Sequence, residues 1–248
     1  MNSGSLSILE KGSLVRHSDG VTQDYSLVEL GPEHLEKVLQ VQADVVGTMD
    51  DYSLYYPSPE QIFGESLRGQ GLIIGCLVEG ELVAFRSIWY PRDHPENLGL
   101  DIGMRDKDQL DQVAHLERSC VLAEYRGNRL QIHMTHYALD LATRNKSFRY
   151  FFSTVAPMNY ASMKDKFEAS MAIVQLKKKY EGFYRYTFYQ DLLNPVHAAS
   201  PEPVFVNGND IDSQVRLLDS EKGIIGCAMQ KNGEIMQVGY AKANHALF

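Results

Sequence analysis

The sequence is poor in cysteine, in positive charge and in long apolar runs, and each shortage excludes a class of protein. Three cysteines occur in 248 residues, Cys76, Cys120 and Cys227, far apart and each inside an apolar, strand-like stretch. That placement favours buried, reduced thiols over a disulfide framework or a metal site. Lysine and arginine number 24 against 32 acidic residues, for a formal net charge of −8. Nucleic acids and anionic membranes both need a concentrated basic surface, so neither is expected as the main partner. A local basic pocket for a small anion is still compatible with this balance. No apolar run approaches membrane-spanning length, and the opening "MNSGSLSILEKGSLVRHSDG" lacks the charged-then-apolar order of a signal peptide. A cytoplasmic protein is expected.

What is present is ordinary globular material, 44% hydrophobic and 23% charged, long enough for one large domain or two small ones. The polar first twenty residues read as a tail or a loosely attached strand. "YSLVEL" (25–30) alternates like a strand, and Pro32 after Gly31 signals a helix start. Residues 49–60 read as a loop rich in Tyr and Pro, with a short helix expected near 59–68. Two β-rich runs over 71–90 meet at Glu79-Gly80-Glu81 as a hairpin. A strand at 114–122, a helix at about 129–144, a strand at 148–155 and a short helix after it follow. Two further strands flank Tyr180-Glu181-Gly182, and Asn232-Gly233 marks a last hairpin. Strands alternating with helices in the middle and hairpins at both ends imply a mixed α/β sheet.

The stretch "VLAEYRGNRLQ" (121–131) is the most informative. It places Gly127 between Arg126 and Arg129 where a strand hands over to a helix. A helix N-terminus offers unpaired N–H groups and a positive dipole end, and glycine lets an anion approach closely. The turn is therefore a candidate phosphate cradle, with a surface turn bearing solvated arginines as the alternative. It matches neither the P-loop pattern nor GxGxxG.

This stretch resembles the acyl-CoA-binding signature of the GNAT superfamily of N-acetyltransferases, with Arg126 at its Arg/Gln position. Arg129 and Gln131 stand where two signature glycines would be. A second piece, "STVAPMNYAS" (153–162), is similar to the family segment in which an Asn and a residue three further on face the pantetheine arm. Asn159 and Ser162 fill those positions, with simple helix capping as the alternative for Asn159. Lys166 replaces the family's tyrosine, which in many members protonates the departing thiolate.

The resemblance covers residues 22–192. It implies a GNAT-like mixed central sheet whose parallel strands at 114–122 and 148–155 splay apart to hold the acyl-pantetheine arm. A C-terminal β-hairpin is added beyond it. The expected division is a tail (1–21), an acyltransferase domain (22–194), and a linker with a β extension packed on that domain (195–248). The implied cosubstrate is acetyl-CoA or another acyl-CoA, held by Val121, Leu122, Arg126, Gly127, Asn128, Arg129, Leu130, Gln131, Asn159 and Ser162, without a metal. The implied acceptor is an amine on a small molecule or peptide, and a homodimer is allowed for.

Acyl transfer to an amine needs a base, a polarised thioester carbonyl and a proton for the thiolate. Period-two spacing puts His115, Glu117, Ser119 and Val121 on one strand face. His115 and Glu117 are therefore base candidates unless they simply face solvent. Tyr160 is the alternative acid, because a solvated lysine at 166 would serve poorly. His133, His136 and Asp140 recur on one helical face, where a polar surface is preferred over zinc. The "KKK" at 177–179 reads as a solvated turn. Two rivals stand beside the N-acyltransferase. One is a non-catalytic acyl-CoA-binding module, favoured by the missing tyrosine. The other is an enzyme on the same fold with a different donor or an oxygen acceptor.

Overall fold

A computed structural model describes residues 7–49, 54–144, 148–220 and 223–247. Along the chain the strands are β1 (Ile8–Val15), β2 (Thr22–Glu29), β3 (Gly71–Val78), β4 (Glu81–Trp89), β5 (Val113–Val121), β6 (Tyr150–Val155), β7 (Ala172–Lys179), β8 (Phe183–Asp191), β9 (Val204–Asn207), β10 (Ile224–Asn232) and β11 (Ile235–Lys242). The helices are α1 (Leu35–Gly47), α2 (Glu60–Glu65), α3 (Leu98–Asp101), α4 (Lys107–Leu110), α5 (Leu130–Arg144), α6 (Tyr160–Glu168) and α7 (Ile211–Ser220). The chain divides into two compact units, one holding residues 1–52, 57–90 and 116–144, the other 53–56, 91–115 and 145–248.

In the first unit the strand order is β1-β2-β3-β4-β5, with β1 through β4 antiparallel. β2 alternates buried and exposed residues as a half-covered strand must, whereas β3 ("GLIIGCLV") is buried along most of its length. The β3–β4 hairpin turns through Glu79 and Gly80, both at positive φ (54° and 85°), the backbone of a tight hairpin. α1 buries Val38, Val41, Gln42 and Val45, one stripe at helical spacing. Residues 8–15, expected as a tail or loosely attached strand, form β1, with Tyr25 on β2 donating to Glu10 at 2.7 Å. Residues 1–6 of the expected tail and 50–53 of the expected loop lie outside the described residues.

In the second unit the start of β5 runs parallel to β6, with Val113, Ala114 and His115 opposite Tyr150, Phe151 and Phe152. The order continues β6-β8-β7-β10-β11-β9, antiparallel throughout. Beyond His115 the residues of β5 belong to the first unit. The mixed α/β sheet with a parallel central pair and a C-terminal hairpin agrees with the expected fold class.

The extension also holds β9 and α7, which the sequence reading left in a linker. Gln214 of α7 is fully buried, and its Oε1 accepts the hydroxyls of Tyr186 and Tyr240, the latter at 2.7 Å. Its Nε2 donates to the carbonyls of Asn207, Gly208 and Asp210. One buried amide thus ties α7 to β8 and β11, with its donors and acceptor satisfied.

Candidate functional site

The turn that ends β5 belongs to the first unit. Leu122 N–H donates to the Val83 carbonyl of β4 at 3.0 Å, so strand alternation directs the Val121 N–H to the opposite edge of β5. Ala123–Tyr125 form a 3-10 turn, Arg126 is extended, and Gly127 (φ 82°) and Arg129 (φ 59°) lie in the left-handed region before α5 begins at Leu130. The positive φ favours glycine at 127, and a Cβ there would lie 2.7 Å from His17 Nε2, so that ring would have to shift. Arg129 adopts the same region despite its side chain, where the signature has glycine.

Asn128 fixes this turn to β1. Its Oδ1 accepts Val15 N–H at 2.8 Å, and its Nδ2 donates to Val15 O at 2.7 Å and Tyr125 O at 3.0 Å. His17 N–H donates to Glu124 O at 2.6 Å. The β1–β2 hairpin is thus part of the turn's scaffold, a role the sequence reading did not assign. Arg126 is exposed, with Nε donating to Val121 O (3.3 Å) and Nη2 to Thr48 Oγ1 (3.1 Å). Leu130 is buried and anchors the helix start, while Gln131 is half-buried and its carbonyl accepts from Arg86 Nη2 at 3.4 Å.

Glu117 is half-buried on β5, and its Oε1 accepts the Ser58 hydroxyl at 2.8 Å. His115, two residues earlier, has a different environment. It is 4% exposed, its Nε2 accepts Leu98 N–H at 3.1 Å, and its ring meets Phe152 edge-on. Burial, with the Lys179 charge adding to it, pushes the imidazole down to about 3. A neutral ring enclosed in the core and holding a backbone amide does not relay a proton from an incoming amine. That environment suits a structural role for His115 and leaves Glu117 as the base candidate that a substrate could reach.

In the second unit, Asn159 precedes α6. Its Oδ1 accepts Ser162 N–H at 3.2 Å and its Nδ2 donates to Leu54 O at 3.3 Å. The capping role is thus filled. Tyr160 is half-buried, its hydroxyl directed at Met158 Sδ, and burial raises its pKa. Lys166, expected in solvent, is 2% exposed and paired with the neighbouring, equally buried Asp165. α6 turns both side chains inward because together they neutralise one another. Lys177 and Lys179 of the expected solvated turn lie on β7 and grip Asp101. Burial pushes Asp101 up, and the two ammonium groups outweigh it, leaving the carboxyl below its ordinary range.

His133 pairs with Glu10 at 2.8 Å and stacks on Tyr137, lining a 260 Å³ surface groove with His136, Asp140 and Arg144. Among the described residues no group of three His, Cys, Asp or Glu is placed to hold a metal. Cys76 and Cys120 are buried and Cys227 half-buried, and none of the three is in a disulfide. No described helix is long and apolar enough to cross a membrane.

No family model and no curated protein sequence matches the chain. Solved structures do. NAA60 of Arabidopsis thaliana, in complex with acetyl-CoA, is similar with a TM-score of 0.54 and 14% identity over 68% of this chain and 99% of its own. An acetyltransferase of the GNAT family from Streptococcus pneumoniae gives 0.52 and 13% over 68% and 99%. An N-acetyltransferase from Staphylococcus aureus Mu50 gives 0.50 and 16% over 68% and 98%. At these identities the likeness is one of fold.

Proposed function

We propose that this chain, whose fold is that of the GNAT acetyltransferases, is an acyl-CoA-dependent N-acyltransferase, with an acetyl group as the expected cargo and a primary amine as acceptor. The observation that carries the reading is the turn after β5. There Gly127 and Arg129 bend the backbone at the start of a 15-residue helix, beside Arg126. The first amides of such a helix have no helical acceptor and suit a pyrophosphate. Leu122, Asn128, Leu130 and Gln131 shape that cradle, and Asn159 and Ser162 are the proposed neighbours of the pantetheine arm.

In the proposed reaction the amine attacks the thioester carbon directly in a ternary complex. The Val121 N–H faces away from β4 and would polarise the carbonyl oxygen as negative charge grows on it. Glu117 takes the ammonium proton, freeing the nitrogen lone pair. When the C–S bond breaks, the thiolate needs a proton. Tyr160, which burial keeps protonated, is the proposed source, and the second proton that the nitrogen sheds as the amide forms restores the phenol.

A second reading, acyl-CoA binding without transfer, is favoured by the closed Lys166–Asp165 pair at the position of the family's phenol. Thiol release from acetyl-CoA across a panel of amines separates the two. The enzyme reading expects release with at least one amine. Binding of CoA without release from any of them supports the module instead.

A further inference from the structure

The proposed base is seated by an assembly within the first unit that no sequence motif announces. Gln42 of α1 is 7% exposed and Ser58 4% exposed. The Gln42 amide holds the backbone of Ser58 at both ends: Nε2 donates to Ser58 O at 3.2 Å, and Oε1 accepts Ser58 N–H at 3.1 Å. Pro57 and Pro59 flank Ser58 and restrict the backbone on either side. The Ser58 hydroxyl then has two partners on β5. It donates to Glu117 Oε1 at 2.8 Å and accepts from Arg118 Nε at 3.2 Å.

These bonds set a direction. A hydroxyl has one proton and two lone pairs. The Arg118 N–H occupies a lone pair, so the proton is left for the carboxylate. Glu117 is thereby held through Oε1, and among the described residues no hydrogen bond engages Oε2, which can turn toward a reacting group. A glutamate on a half-buried strand would otherwise sample several rotamers.

We propose that Ser58, held in place by Gln42, is a positioning residue that fixes the Glu117 carboxylate and presents Oε2 to the acceptor amine. The inference rests on the reading of Glu117 as the base. It separates from a purely structural role because both Gln42 bonds to Ser58 go to the backbone rather than to the hydroxyl. Replacing the hydroxyl leaves both Gln42 bonds, and so the loop, in place.

The test is Ser58→Ala and Ser58→Thr in the full chain, with kcat, KM, CoA affinity and melting temperature measured for each. Ser58→Ala should keep its melting temperature and CoA affinity and lose about ten-fold in kcat with KM little changed, the scale of a misplaced reacting group. Ser58→Thr, which keeps the hydroxyl, should restore kcat. If Ser58→Ala keeps the wild-type kcat while Glu117→Gln is inactive, the positioning role is overturned and the base assignment stands. If the wild-type chain releases CoA with no amine, or Glu117→Gln is fully active, the underlying reading falls and this inference with it.

Discussion

The chain makes two strand-to-helix turns of similar plan, after β5 and after β6, and they treat their asparagines in opposite ways. After β6, Asn159 folds back and caps its own helix by accepting Ser162 N–H, and α6 buries a charge pair in its second turn. After β5, Asn128 faces away from α5, and its carbonyl oxygen accepts Val15 N–H on β1 instead. The first turn is self-satisfied. The second is braced from outside by the β1–β2 hairpin and has positive φ at Gly127 and Arg129, with arginines at its surface. A turn held open by its neighbours can receive an anion, whereas a capped turn mainly secures its helix.

Variants can break this contrast, and the largest effect is expected on the β5 side. Glu117→Gln should lower kcat about 10²–10⁴-fold with CoA affinity intact, read from steady-state kinetics and a CoA titration. On the β6 side the effect should fall on stability. Lys166→Ala breaks a buried ion pair and should cost about 3–5 kcal/mol in denaturant unfolding. Replacing both residues with apolar ones should recover much of that loss. An unchanged unfolding midpoint in Lys166→Ala would show the pair to be irrelevant.

Acid should also destabilise the second unit. His115 is held near 3 against an unfolded value of about 6.5, so its contribution is complete above 6.5 and is lost as pH falls toward 3. Asp101, held low by Lys177 and Lys179, loses its contribution in the same direction at lower pH. His115→Gln keeps an acceptor for Leu98 N–H without titrating. It should flatten the decline in melting temperature between pH 6.5 and 4, and an unaltered slope would contradict the assignment. The smallest effect sharpens the contrast itself: Asn159→Ala should cost about 1 kcal/mol of stability, as a lost helix cap does.

The elements legible in the sequence were those with local signals. Glu79-Gly80, Asn232-Gly233 and the helical stripe beginning at Leu130 were readable because turn chemistry and periodicity act over a few residues. β1 stayed open between a tail and a loosely attached strand, and α7 was read as linker, because their pairing depends on distant partners, Asn128 for one and Tyr186 and Tyr240 for the other. At the site, spacing placed His115 and Glu117 on one strand face but could not say what covers each. Leu98 and Phe152 enclose one, and Ser58 reaches the other. Lys166 was misread for the same reason, since a charged residue is buried only when a partner is buried with it.

The central claim is that the turn after β5 holds the phosphates of an acyl-CoA. Calorimetric titration of CoA into the wild-type chain and into Arg126→Glu tests it directly. The account predicts binding to the wild type and its loss in Arg126→Glu, with the melting temperature of the unliganded chain nearly unchanged. Equal affinity in the two proteins would contradict it.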